Sequence, residues 1–271
     1  MGVRARKSLG QHFLTDGHVL RRIVDALAPT PDEAVIEIGA GLGGLTAALA
    51  ERARRVIAIE IDAALAERLR ERFAGRNVVV VRGNALDLEP AALLAQAGET
   101  GPYAVAGNLP YFIAQPLLRH YLEAAPQPSR LVVMVQAEVV ESIVARPGRM
   151  SLLGVSVQVY GEPRLLFSVP PSAFYPPPKV RSAVVRIDVL PRPRADDLEA
   201  LFRVARAGFS ARRKQIRNAL AHGLRIDAVA AAALLAAAGV DPTLRAQALS
   251  LESWAALAQA WADAGRPEGP A

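Results

Sequence analysis

The chain reads as an α/β protein: a doubly wound, mostly parallel seven-stranded sheet followed by a small all-α domain. Three observations predict this. Short β-branched runs alternate with helical patterns from residue 34 to about 136. Those runs are continuously apolar instead of alternating, which suits parallel strands covered on both faces. Beyond Pro191-Arg192-Pro193 the pattern becomes wholly helical.

Residues 34–38 form the first predicted strand, and the Gly-rich turn after it opens a helix over 45–53. Residues 55–60 are the next strand, followed by a helix over 63–73. Residues 77–81, 103–107 and 131–136 repeat the theme. In such a sheet the ligand crevice lies at the carboxyl ends of the strands. Residues 163–169 and 182–187 read as two more strands. The loop between them holds Pro170, Pro171, Pro176, Pro177 and Pro178 and is too short for a crossover helix. Antiparallel pairing at one sheet edge is therefore predicted. Ala/Leu-rich helices then run to Trp261, giving expected domains of 1–190 and 191–271, with a frayed tail over 265–271.

Composition narrows the chemistry. The 271 residues suffice for one large or two smaller domains. Hydrophobic residues make up 52%, yet no run of about 18 escapes charge or Pro/Gly, so no membrane span is predicted. The basic segment 1–8 lacks a following apolar core and does not read as a secretory signal. The absence of cysteine removes disulfides, thiolate-bound zinc and a cysteine nucleophile, and fits a cytoplasmic protein. Four scattered histidines have no metal-ligand spacing, so no metal is expected.

A net charge of +6 and a pI near 10.1 point to a polyanionic partner. Between residues 201 and 226 lie Arg203, Arg206, Arg212, Arg213, Lys214, Arg217 and Arg225, with no acidic residue among them. A solvated face would carry charges too, but these repel one another unless an anion neutralises them. Nucleic-acid contact is the expectation.

Glu37-Ile38-Gly39-Ala40-Gly41-Leu42-Gly43-Gly44 follows the first strand and opens its helix. Gly39, Gly41 and Gly44 satisfy G-x-G-x-x-G, and Glu60 ends the next strand about 20 residues on, where a carboxylate accepts ribose hydroxyls. These residues leave a dinucleotide and S-adenosylmethionine equally open. Asn108-Leu109-Pro110-Tyr111 bears on the choice, because it sits where the 103–107 strand ends. Proline stiffens this corner, holding an amide beside an aromatic ring, which suits a planar base with an amino group. A plain turn uses the same residue types. The corner, the antiparallel edge and the basic helical domain together favour S-adenosylmethionine and an RNA substrate.

The chain resembles the ribosomal RNA adenine dimethyltransferases (KsgA/RsmA type) over nearly its whole length. The resemblance rests on five ordered segments: Leu9-Gly10-Gln11-His12-Phe13-Leu14, the Glu37–Gly43 loop, Asn108-Leu109-Pro110-Tyr111, the segment from Phe174-Tyr175 to Arg181-Ser182, and Phe209-Ser210-Ala211-Arg212-Arg213-Lys214. It implies a Rossmann-like class I methyltransferase that dimethylates two adjacent adenosines near the 3′ end of small-subunit (16S) rRNA. The implied partner is a nearly mature small ribosomal subunit; a monomer is the default expectation for the chain itself. Asn108 and the Leu109 or Pro110 carbonyl would hold the reacting amine, with Tyr111 and, by resemblance, Phe174 stacking on the base.

His12 and Leu14 would line the methionine end of the cofactor, joined by Gly39, Gly41 and Asn108, with Glu60 on the ribose. Asn84 would face the cofactor's adenine, with Asp87 as a substitute if the loop is shifted. Arg212, Arg213, Lys214 and Arg217 would contact RNA. Two positions depart from the family pattern: His12 stands where Asn is usual, and Asn84 where Asp is usual. Competing readings are a large-subunit rRNA methyltransferase conferring antibiotic resistance, a non-catalytic nucleic-acid-binding factor, and, more distantly, an NAD-dependent oxidoreductase.

Overall fold

The computed structural model describes Arg6 and residues 10–267, so the rest of the segment 1–9, including Leu9, and the tail 268–271 lie outside the described residues. Its strands are β1 (Phe13–Leu14), β2 (Ala34–Ile38), β3 (Arg55–Glu60), β4 (Val78–Arg82), β5 (Tyr103–Asn108), β6 (Arg130–Gln136), β7 (Gly161–Val169), β8 (Phe174–Tyr175) and β9 (Ser182–Val189). The helices are α1 (Gly17–Leu27), α2 (Gly44–Ala50), α3 (Ala63–Arg72), α4 (Pro90–Gln96), α5 (Ala114–Leu122), α6 (Ala137–Ile143), α7 (Leu152–Gln158), α8 (Leu198–Phe209), α9 (Ile216–Leu224), α10 (Ala228–Ala237) and α11 (Leu251–Asp263).

Seven strands form one sheet in the order β4-β3-β2-β5-β6-β9-β7. Its first five strands run parallel, with Val35 opposite both Val56 and Ala104. β9 then pairs antiparallel with β6, Val185 opposite Val133. Burial follows position. Every residue of central β2 is buried, whereas β4 at one edge is half-exposed and β7 at the other is buried only at its two ends. A separate two-stranded ribbon pairs β1 with β8, Phe13 opposite Tyr175 and Leu14 opposite Phe174.

Side-chain caps start the helices that flank the crevice. The Asp16 carboxylate accepts the His18 and Val19 amides at 2.8 and 3.2 Å ahead of α1. Asp62 does the same for Ala64 and Leu65 at 2.9 and 3.2 Å ahead of α3. Each such cap is worth about 1 kcal/mol. α1 then buries Val19, Ile23, Val24 and Leu27 against the sheet core, which includes Val35, Ala104, Val132 and Val184.

The chain divides into two compact units, residues up to Val140 with Glu162–Val189, and Glu141–Gly161 with Leu190 onward. The second unit thus takes in residues 141–161, which sequence pattern assigns to the first. Local bonds hold that segment there: Gly148 and Met150 amides donate to the Gln247 carbonyl at 2.8 and 3.0 Å. Trp254 is fully buried in the helical unit and stacks on Phe209 at 5.2 Å. Within it, a Cβ at Gly223 would lie 2.5 Å from the Ala207 Cα, so α8 and α9 approach backbone to backbone. The described part of the predicted frayed tail is instead tied down. Arg266 pairs with Asp197 at 2.6 Å, and the Trp261 indole donates to the Pro267 carbonyl at 3.2 Å. No single described helix is long and apolar enough to cross a membrane.

Candidate active site

The carboxyl ends of β2, β3 and β5, together with the turn after β4 and residues 10–14, surround an open cavity. This is where a parallel sheet of this kind holds ligands. The loop after β2 forms its floor. Gly39 and Ala40 amides both donate to the Ile59 carbonyl, at 2.9 and 3.1 Å, which ties the loop to β3. At Gly41 the backbone takes φ +55°, and a Cβ there would meet the Phe13 ring at 3.2 Å, so only glycine fits without displacement.

Glu60 holds this loop from the end of β3. Its Oε2 accepts the Gly41 amide at 2.8 Å, and its Oε1 accepts the Asp62 amide at 2.9 Å. Burial raises the carboxyl above its ordinary pKa, against the lowering effect of the Asp62 and Gly41 amides. Each oxygen keeps a lone pair for a ligand hydroxyl. Glu37 also lines the cavity, and its Oε2 is buried with no hydrogen-bond partner among the described residues. Burial pushes its pKa up to about 8, opposed by neighbouring Thr46 and reinforced by the Glu60 charge. At neutral pH most molecules therefore carry a proton there.

The corner after β5 is fixed on every side. The Leu109 amide donates to the Met134 carbonyl at 3.0 Å and its side chain is buried. The Pro110 carbonyl accepts the Ile113 amide at 3.1 Å. Asn108 Nδ2 donates to the His12 carbonyl at 2.9 Å, which leaves Oδ1 as the free end of the amide. The Tyr111 hydroxyl bonds Ser182 Oγ at 2.7 Å, and its ring lies 6.2 Å from the His12 ring at 20°. His12 Nδ1 lies 2.7 Å from the Pro176 carbonyl. A carbonyl only accepts, so Nδ1 carries the hydrogen, and a neutral ring keeps Nε2 as an acceptor. Asn84 donates to Asp87 Oδ2 at 3.1 Å and accepts the Leu86 amide at 3.3 Å. Asp87 orients Asn84 and does not itself line the cavity.

One cavity therefore gathers His12, Leu14, Gly39, Gly41, Glu60, Asn84, Asn108, Leu109, Pro110 and Tyr111. Phe174 is the exception. It is 4% exposed, packs in the core with Val19, Ile23 and Ala173, and is not among the residues that line the cavity. Successive strand residues face opposite ways, and β8 turns Phe174 inward and Tyr175 outward.

Arg212, Arg213, Lys214 and Arg217 belong to the helical unit, on the turn between α8 and α9 and the first turn of α9. All four are exposed, and among the described residues none pairs with a carboxylate. Glu37 and Ser182 were not singled out from the sequence. Glu37 is an acid inside an otherwise apolar strand, a readable signal; Ser182 closes the Phe174–Ser182 segment, but nothing in that segment announces its bond to Tyr111. Among the described residues no group of three His, Cys, Asp or Glu is placed to hold a metal ion.

Comparison with known proteins gives a consistent result. The family described as ribosomal RNA adenine dimethylase matches residues 2–263. The ribosomal RNA small subunit methyltransferase A of Dehalococcoides mccartyi (strain CBDB1) is 45% identical over 261 residues, covering 94% of this chain and 88% of its own. Its namesake in Moorella thermoacetica is 43% identical over 268 residues, covering 95% and 93%. Among solved structures, the 23S rRNA methyltransferase ErmE superposes with a TM-score of 0.73 at 30% identity, covering 92% of this chain and 98% of that one. A dimethyladenosine transferase from Plasmodium falciparum gives 0.80 at 24% identity, covering 94% and 98%, and speaks for the fold alone.

Proposed function

As a member of the ribosomal RNA adenine dimethylase family, which the match over residues 2–263 establishes, this chain is a methyltransferase, and we propose that it dimethylates two adjacent adenosines near the 3′ end of small-subunit (16S) rRNA. In this reading it uses S-adenosylmethionine and acts as a cytoplasmic monomer on a nearly mature small subunit, without a metal. Curated relatives at 39–45% identity carry the small-subunit name, which supports the choice of substrate.

The observation that carries the reading is the pinned amide of Asn108, whose Nδ2 is spent on the His12 carbonyl at 2.9 Å. Its Oδ1 is thereby committed to accepting. An adenine amino group brings two hydrogens to such a site, one for Oδ1 and one for the Leu109 or Pro110 carbonyl, the latter keeping a second lone pair beside the Ile113 amide. Accepting both draws the nitrogen toward tetrahedral geometry and frees its lone pair from the ring. Tyr111 offers the extruded base a ring whose tilt is held by Ser182. A monomethylated nitrogen keeps one hydrogen, so the same acceptors serve a second transfer.

The cavity fits the cofactor. Gly41 leaves room where a side chain would press on Phe13, while Glu60 and Asn84 offer acceptors for ribose and adenine. His12, Leu14 and Gly39 line the end assigned to methionine, and Glu37, whose Oε2 has no partner among the described residues, adds a polar group to the cavity lining. When bound, S-adenosylmethionine supplies an electrophilic methyl group. The chain's own part is positioning and electrostatics; it needs no strong general base. Arg212, Arg213, Lys214 and Arg217 serve as phosphate contacts.

Likeness to a 23S rRNA methyltransferase at 30% identity favours a second reading, methylation of the large subunit. Both purified subunits, unmethylated, should be offered with S-adenosylmethionine and the modified bases mapped by primer extension. Two adjacent stops near the 3′ end of the small-subunit RNA are expected. Transfer to the large subunit alone, or to neither, refutes the proposal.

A further inference from the structure

We propose that Phe112 and Tyr175 form an aromatic rim that stacks on the unpaired nucleotides flanking the target adenosine, a contact distinct from the grip on the target itself. This rests on the RNA reading above. Phe112 is 68% exposed and Tyr175 is 65% exposed, the two aromatic side chains among the exposed large hydrophobics of the described residues. Both sit beside the cavity and not in it. Tyr111 and Ile113 line it, while Phe112 between them does not. Tyr175 is turned outward because its neighbour Phe174 faces the core.

The 10–14 segment links the two rings. A Cβ at Gly10 would lie 3.3 Å from Phe112 Cε1, so this ring rests over the segment's start. Tyr175 is the ladder partner of Phe13 three residues later. Between them His12 bonds the Pro176 carbonyl and lies alongside Tyr111. Each exposed ring is thus anchored to the same wall of the cavity, on backbone the site already holds rigid.

The chemistry of the loop selects the partner. Lys179 and Arg181 follow Tyr175 on the same loop, both exposed, and among the described residues neither side chain meets a carboxylate. Flat rings beside free cations match single-stranded nucleic acid, in which bases stack and phosphates are neutralised. An apolar protein surface would leave the two cations buried without partners. Extruding one base also unstacks its neighbours, and rings at the rim replace the stacking those neighbours lose.

The test is fluorescence anisotropy of a 5′-labelled, unpaired adenosine-containing RNA oligonucleotide, titrated with the full chain without cofactor. Phe112→Ala, Phe112→Leu, Tyr175→Ala and Tyr175→Leu should each weaken binding by about tenfold, whereas Phe112→Trp and Tyr175→Trp keep it. Calorimetry with S-adenosylmethionine reports whether each variant retains its cofactor cavity, so misfolding is recognised. Equal affinity across the set, or leucine performing as well as an aromatic ring, overturns the rim, as does a wild-type chain that fails to bind the oligonucleotide. Methyl transfer to purified small subunits is read separately. If the wild type transfers nothing yet the aromatic series behaves as described, the methylation proposal falls and the rim stands. If the wild type transfers methyl groups and all variants bind alike, only the rim falls.

Discussion

Asn108 and Glu60 line one cavity and should fail in different ways. Asn108→Ala removes the committed acceptor but leaves the backbone beside Gly39 in place. Methyl transfer should then fall about 10²–10³-fold, the usual cost of losing one positioned hydrogen-bonding group, while calorimetry shows cofactor affinity within about twofold. Unchanged turnover would remove Asn108 from the mechanism. Glu60→Gln swaps one acceptor oxygen for an NH₂ group, which must face either the Gly41 or the Asp62 amide donor. A donor left against a donor costs about 1–3 kcal/mol, so the cofactor Kd should rise about tenfold, and an unaltered Kd would detach Glu60 from the cofactor. Glu37 gives a pH signature. Its folded-state pKa is raised from 4.5 to about 8, so the folded state holds the proton more tightly than the unfolded chain. That contribution is complete below 4.5 and is lost as pH rises through about 8. Between pH ~5 and ~9 the thermal midpoint of the wild type should therefore fall relative to Glu37→Gln, whose amide does not titrate. Parallel midpoint curves for the two proteins would show that Glu37 is not buried as a proton-binding group.

The strands were the most legible part, because burial on both faces writes itself as unbroken apolar runs. Residues 34–38 and 55–60 match β2 and β3 at both ends. The helix expected over 45–53 stops at Ala50, since the chain must turn before β3 and helical composition alone does not say where. The two-residue strands β1 and β8 have no period to read; they exist because they pair with each other across more than 150 residues. The same limit explains Phe174. A motif places it near the site, but only the ladder with Leu14 decides which way its ring turns. Residues 141–161 join the helical unit through tertiary bonds such as the Met150 amide to the Gln247 carbonyl at 3.0 Å, which no local pattern announces. Glycines inside helices were equally silent. Gly223 looks like a weak point of α9, and alanine there should add about 1 kcal/mol of helix propensity. Its Cβ would instead meet the Ala207 Cα at 2.5 Å and carbonyl at 2.7 Å, backbone atoms that cannot swing aside. Overpacking of this kind costs about 1–3 kcal/mol, so crowding outweighs propensity. Gly223→Ala should lower the melting temperature by several degrees, while the exposed neighbour His222→Ala leaves it nearly unchanged; a rise for Gly223→Ala would contradict the close approach of α8 and α9.

Over the whole chain, charge and chemistry are separated in sequence. The acceptors proposed to grip a base and a nucleoside come from residues 12–111, whereas a dense cationic run lies at 203–225, in the helical unit. Such a division lets long-range attraction to a polyanion be tuned without disturbing the cavity. The net charge of +6 alone does not establish this, because Arg-rich composition arises for reasons unrelated to binding. Placement is the stronger argument: Arg212, Arg213, Lys214 and Arg217 are all exposed, and among the described residues no carboxylate offsets them. If they meet phosphates, binding releases counterions, and the logarithm of affinity falls linearly with the logarithm of salt concentration. Arg212→Glu combined with Arg213→Glu should then weaken binding to unmethylated small subunits and reduce the magnitude of that slope by about two, one for each phosphate left without its arginine. Both positions are solvated and unpaired, so melting temperature and cofactor affinity should stay near wild type, which separates a binding defect from a folding defect. Filter binding across roughly 50–300 mM salt measures the slope directly. A slope identical to that of the wild type would mean these arginines merely solvate the α8–α9 turn, and the attraction to RNA would have to come from elsewhere on the chain.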